Sequence, residues 1–124
     1  MTELGPEILT LKIPTAKEFV DVVRLMVAGL GARMDFTYDD VEDLKIAVEE
    51  ACSRAAEQPE NNIHIEFLIF EDRLEVCLRG VPSSIWTKGQ DQLILKAVTD
   101  EVKLTSSGDK CDLYLLKYRA KKTA

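Results

Sequence analysis

IHIEFLIFEDRLEVCL, residues 63–78, alternates with a period of two. Ile63, Ile65, Phe67 and Ile69 point one way and His64, Glu66, Leu68 and Phe70 the other; after a turn near Glu71 and Asp72, Leu74, Val76 and Leu78 resume the pattern. This predicts an antiparallel hairpin with one face turned toward a core. Such a face needs a second layer to cover it.

The residues before the hairpin predict that layer. Val41, Leu44, Val48, Ala51, Cys52 and Ala55 recur at helical spacing, behind a Thr37–Asp40 cap and ahead of a break at Pro59. Phe19, Val22, Val23, Met26, Val27 and Leu30 mark an earlier helical face, with Thr15 and Glu18 at capping-box spacing and Gly29 and Gly31 expected to end it. Ile8 to Ile13 reads as a first strand closed by Pro14, with Leu9, Leu11 and Ile13 on its core face. Downstream, Gly80 to Gly89 reads as irregular and Gln90 to Thr99 as a short helix. Glu101–Thr105 and Cys111–Arg119 read as a last hairpin around SSGDK, and the tail from Ala120 to Ala124 is expected to fray. The expected fold is α+β: a two-layer α/β sandwich, a mixed, mostly antiparallel sheet with helices on one face. One domain over residues 1–124 accounts for the chain, without repeats or linkers.

Composition narrows the function. A formal charge of −6 repels phosphate backbones and anionic lipid, which disfavours nucleic acid and membrane partners and leaves a protein partner. No apolar run approaches the roughly 20 residues that span a bilayer. The first residues, MTELGPEILTLKIP, lack the basic and apolar regions of a secretion signal, so a cytoplasmic protein is expected. Cys52, Cys77 and Cys111 are widely spaced, without the pairing that zinc or redox motifs need, and are expected to be reduced, half-buried fillers.

Four stretches, IPTAKEFVDVVRLMVAGLGARM, YDDVEDLKIAVEEACSRA, FEDRLEV and VTDEVKLTSSGDKCDLYLLKYR, occur in that order. Together they resemble the anti-sigma-factor serine kinases of bacterial stress and sporulation control, from about Ile13 to Arg119. That family shares the ATPase fold of histidine kinases, gyrase and Hsp90, the sandwich expected from pattern. The resemblance implies a homodimer that binds a sigma factor. It also implies a kinase that uses ATP and Mg²⁺ to phosphorylate a serine on an antagonist protein.

Three nucleotide motifs carry that activity in the family. In the first, a glutamate serves as base and an asparagine four residues later holds Mg²⁺. Glu50 matches the glutamate, but the asparagine position is Arg54, a fixed cation with five donors and no acceptor. Glutamate placed four residues ahead of arginine instead makes a favoured helix ion pair. The second motif has an aspartate that reads the adenine amino group and a glycine that allows close approach; Gly80, Val81 and Pro82 stand there, without the acceptor. The third is a glycine-rich phosphate cradle, replaced by Gly89, Gln90, Asp91 and Gln92, which sets a carboxylate where phosphate charge would lie. The segment from Ser83 to Lys88 is also shorter than the family's nucleotide-covering lid. The expectation is a non-catalytic, degenerate relative without cofactor or metal, in which Glu50 is a vestigial base. The alternative is an active serine/threonine kinase using ATP and Mg²⁺, with Arg54 on phosphate.

No other chemistry competes. His64, the single histidine, falls on the strand face away from the core isoleucines, and no nucleophile motif accompanies it. Ser83–Ser84 and Ser106–Ser107 suit turns, and Asp39, Asp40, Glu42 and Asp43 suit a helix start better than a calcium loop. Leu68, Phe70, Tyr114, Leu116 and Tyr118 are expected on the outer face of the sheet, where no helix covers them, as a candidate protein contact. Trp86, beside Ile85, is expected to fill the vacated nucleotide pocket in preference to standing as a surface contact.

Overall fold

A computed structural model describes residues 5–57, 62–86 and 92–120. Strand β1 (Glu7–Ile13) leads through a 3-10 turn (Lys17–Phe19) into helix α1 (Val20–Arg33), and helix α2 (Tyr38–Ala56) follows. The hairpin β2 (Ile63–Ile69) and β3 (Arg73–Pro82) comes next, then a second 3-10 turn (Ser83–Ile85), helix α3 (Leu93–Val98), and the hairpin β4 (Glu101–Ser107) and β5 (Lys110–Tyr118). The sheet order is β1-β2-β3-β5-β4, and all four pairings are antiparallel. Both expected hairpins form. Pro59, Gly89, Gln90 and Asp91, and the tail after Ala120, lie outside the described residues.

The core lies between the sheet and α2. Ile65, Phe67, Leu74, Val76, Leu78, Leu113 and Leu115 on the sheet meet Leu44, Ala47, Val48, Ala51, Cys52 and Ala55 on α2. Three alanines and a cysteine on one helical face let α2 settle close to the strands. Its start is fixed as expected: Thr37 Oγ1 accepts from the Asp40 amide at 3.1 Å, and the Asp40 carboxylate accepts in return from the Thr37 amide at 3.4 Å.

Helix α1 departs from its expected form in three ways. No side chain caps it: the chain enters through the 3-10 turn, where the Phe19 amide donates to the Ala16 carbonyl at 3.0 Å. Its buried positions are Val20, Val23, Val27 and Gly31, while Phe19 and Val22 are exposed. And Gly31 does not end it. A Cβ on Gly31 would stand 2.6 Å from Val41 Cγ2, so this glycine allows α1 and α2 to approach closely here. The helix ends instead at Arg33 with Met34 as its C-cap, and the next residue, Asp35, takes a left-handed φ of 58° while the Phe36 amide donates back to the Gly31 carbonyl at 2.9 Å.

Strand β3 runs further than the irregular segment expected from Gly80. Gly80 adopts φ of 64° in a bulge, after which Val81 pairs with Cys111 and Pro82 with Lys110. Among the described residues helix α3 runs Leu93–Val98, with Thr99 as its C-cap, and strands β4 and β5 extend to Ser107 and back to Lys110.

No helix among the described residues lies on the outer face of the sheet, but charged side chains cross part of it. Arg79 donates to Glu66, Asp112 and the Tyr114 hydroxyl at 2.8, 3.0 and 2.9 Å. Arg73 stacks 3.7 Å from the Phe70 ring centroid and donates to Glu75 at 2.6 Å, and the Tyr118 hydroxyl donates to Glu101. Under these side chains Leu116 is only 1% exposed and Cys77 fully buried, while Leu68, Phe70 and Tyr114 stay half-buried and Tyr118 exposed, so the charged side chains close only part of the expected apolar patch. The cysteines are likewise more buried than expected: Cys52 and Cys77 are at 0% exposure and Cys111 at 2%. Burial pushes the thiols of Cys52 and Cys77 up to about 12.

Candidate functional site

The second half of α2 presents Glu50 and Arg54 one turn apart. Arg54 Nε donates to Glu50 Oε2 at 2.6 Å, with both side chains partly buried. The guanidinium carbon of Arg54 also lies 5.5 Å from the ring centroid of Trp86. Trp86 is 0% exposed and belongs to the main core cluster, so it is no surface contact. The chain carries it there directly from β3: Pro82 leads into the Ser83–Ile85 turn, whose Ser83 amide donates to the Asp109 carbonyl at 2.9 Å. Gln92 Nε2, just ahead of α3, then donates to the Trp86 carbonyl at 2.8 Å. These bonds hold the main chain on the two sides of Trp86. Its Nε1 is buried and has no hydrogen-bond partner among the described residues, and Arg54 lies near the ring.

Gly80 and Pro82 lie at the end of β3, on the strand that leads to the turn before Trp86. The Gly80 amide donates to Asp112 Oδ1 at 2.9 Å, and Gly80 itself offers no side-chain acceptor to a base. Arg79, beside it, has its pKa raised first by the hydrogen bond it donates to Glu66 and then by the one it donates to Asp112. Gly89 and Asp91, at the expected phosphate cradle, lie outside the described residues. Among the described residues no cluster of three or more His, Cys, Asp or Glu side chains is placed to hold a metal ion. Thus Glu50, Arg54 and Trp86 come together, with Gly80 and Pro82 on the strand that leads to them. His64 is exposed on the outer face, away from Glu50.

Sequence reasoning missed Lys117. It faces inward on β5 and is 7% exposed, with Nζ 3.6 Å from Asp40 Oδ1 and 3.7 Å from Asp43 Oδ2. Its signal was available, since it follows Leu113 and Leu115 in the inward alternation, where a lysine needs partners. Arg79, the hub of the outer face, was missed because its partners are 13 to 35 residues away in sequence.

The antiparallel sheet carries two long helices, and the chain's sequence relatives include proteins named serine-protein kinase RsbW. It is 47% identical over 75 residues to serine-protein kinase RsbW of Bacillus velezensis, covering 56% of this chain and 47% of that protein. It is 44% identical over 75 residues to serine-protein kinase RsbW of Bacillus subtilis, with the same coverage, and 42% identical over 76 residues to that of Halalkalibacterium halodurans, covering 59% and 47%. The chain thus spans about half the length of the curated relatives it matches. The crystal structure of the RsbU and RsbW domains of Rv1364c from Mycobacterium tuberculosis superposes with a TM-score of 0.68 over 95% of this chain and 34% of that one. At 16% identity, that likeness establishes the fold. No family model matches the chain. No helix among the described residues is long and apolar enough to cross a membrane.

Proposed function

We propose that this chain is a non-catalytic binding module of a partner-switching pathway, related to RsbW but without ATP binding. The observation that carries this reading is the closed triad of Glu50, Arg54 and Trp86. The carboxylate at the family's base position is engaged by Arg54 at 2.6 Å, and the group four residues on is a cation with no lone pair to give Mg²⁺. A fully buried tryptophan lies beside that cation, which supports an indole filling the space next to α2. Gly80, at the aspartate position, offers adenine no acceptor, which supports the same conclusion.

The chain then acts through contact. Its partner is a sigma factor or an anti-sigma-factor antagonist, it works as a homodimer in the cytoplasm, and complex formation is independent of nucleotide. The test is size-exclusion chromatography with light scattering of the purified chain mixed with each candidate partner from its own genome, with and without Mg-ATP. A stable complex that ignores ATP supports the reading. Transfer of radiolabelled phosphate from ATP to the antagonist, lost on Glu50→Ala, restores the kinase.

A further inference from the structure

Strand β1 is an edge of the sheet: β2 pairs with one side of it, and no strand among the described residues pairs with the other. Edge strands that stay unpaired are commonly short, bulged, or guarded by proline or charge along their length. Over Glu7–Ile13, β1 has no proline and pairs with β2 in unbroken register, and its two charges, Glu7 and Lys12, stand near its ends. Ile8 and Leu9 are left 53% and 42% exposed. Such an edge is a template for another strand.

Helix α1 adds a second unpartnered surface on the same side of the molecule. α2 packs against both α1 and α3, and α3 lies against β4, the opposite edge of the sheet, which places α1 on the β1 side. An ion pair of 3.7 Å between Arg33 and Glu7 joins the end of α1 to the start of β1. Val20, Val23, Val27 and Gly31 turn inward; on the other flank Val22 is 41% and Leu25 72% exposed, with Met26 half-buried and Gly29 exposed between them. A continuous apolar stripe on an outer flank marks a contact surface.

One two-fold axis perpendicular to the sheet satisfies both surfaces. Placed at Thr10, it pairs β1 antiparallel with its own copy: Leu9 falls opposite Leu11, Ile8 opposite the Lys12 stem and Thr10 opposite itself, and no like charges meet. The fourteen residues of α1 span about 21 Å and the seven of β1 about 24 Å, so with their ends joined by Arg33 and Glu7 the middle of α1, near Met26, lies level with Thr10. The same axis then sets α1 antiparallel to its copy, with Leu25 opposite Met26, Val22 opposite Gly29 and Glu18 opposite Arg33. Acid meets base at both ends of an apolar seam. We propose that β1 and α1 form the interface between two copies of this chain, joining the two five-stranded sheets edge to edge with the α1 helices side by side above the join. The inference rests on the homodimer reading above and adds where the copies meet.

The test is light scattering and sedimentation equilibrium of the intact chain, beside variants at the axis. Thr10→Cys puts a thiol where opposed Cβ atoms stand about 4.5–5.5 Å apart, so mild oxidation should link the copies. The native cysteines are buried and stay out of the reaction, and Thr105→Cys, exposed on the opposite edge strand, should not link. Leu25→Glu alters a side chain that the single chain exposes, so its far-UV circular dichroism should match the native chain. Its dimer dissociation constant should rise about a hundredfold or more, because two carboxylates are then buried at the join. A native chain that stays monomeric at high micromolar concentration overturns the homodimer reading and this interface together. A native dimer in which Thr10→Cys links no faster than Thr105→Cys, or which Leu25→Glu leaves intact, overturns the interface alone.

Discussion

Arg54 Nε lies 2.6 Å from Glu50 Oε2, one helical turn away, and its guanidinium carbon lies 5.5 Å from the centre of the Trp86 ring. The arginine thus links the family's base position to the indole. Removing it as Arg54→Ala should cost about 1 kcal/mol, the sum of a helix ion pair and a partly buried cation–π contact. Urea unfolding measures this, and a variant as stable as the native chain would show that the arginine contributes nothing to closing the site.

Trp86 is the heavier component. It is the only tryptophan in the chain and is fully buried, so its fluorescence should be blue-shifted and resist acrylamide quenching. Trp86→Ala removes a large buried ring and should destabilise by about 3–5 kcal/mol. An emission maximum typical of exposed indole would contradict the burial itself.

The two glycines of α1 should respond in opposite directions. Gly29 is exposed with no atom within 4 Å of a new Cβ, so Gly29→Ala should stabilise by about 0.5–1 kcal/mol through helix propensity. At Gly31 a methyl would stand 2.6 Å from Val41 Cγ2, and Gly31→Ala should cost about 1–3 kcal/mol by overpacking the α1–α2 contact. Thermal unfolding of the pair checks both signs in one experiment.

These glycines also show where the sequence was and was not legible. Period-two alternation located every strand, because an inward and an outward face leave a mark on each successive residue. The phase of α1 was not legible. Phe19 and Val22 are as apolar as Val20 and Val27, and only the close approach at Gly31, a contact with α2, decides which stripe is buried. The partial cover of the outer face was hidden for a similar reason: Leu116 reads as exposed until Arg79, Arg73 and their carboxylate partners are placed. At the candidate site, the Glu50–Arg54 pair followed from helical spacing alone. The packing of Trp86 against it needed the path of the chain after Pro82.

Lys117 should tolerate methionine better than alanine. Its stem is buried on the inward face of β5, and its ammonium meets Asp40 and Asp43 at the start of α2. Lys117→Ala loses both and should cost about 2 kcal/mol, while Lys117→Met keeps the packing of the stem and should cost less. Denaturant midpoints at low and high salt distinguish the two contributions, since the ionic part alone weakens with salt.

Alkaline pH should unfold the chain through its thiols. Burial raises Cys52 and Cys77 from the ordinary 9.0 to about 12, so the folded chain keeps protons that the unfolded chain releases. Their contribution is complete below pH 9 and is lost as the pH rises from 9 toward 12. Melting temperatures across that window should fall, and fall less steeply for Cys52→Ala. Parallel curves for the two proteins would place the alkaline transition elsewhere.

The closed triad on α2 is tested most directly by calorimetric titration of the native chain with Mg-ATP, beside Arg54→Asn, which restores the family's residue at that position. The account predicts no saturable heat from the native chain, and none from Arg54→Asn while Trp86 and Gly80 remain. Saturable heat from the native chain that disappears in Glu50→Ala would contradict it and return the protein to the kinases.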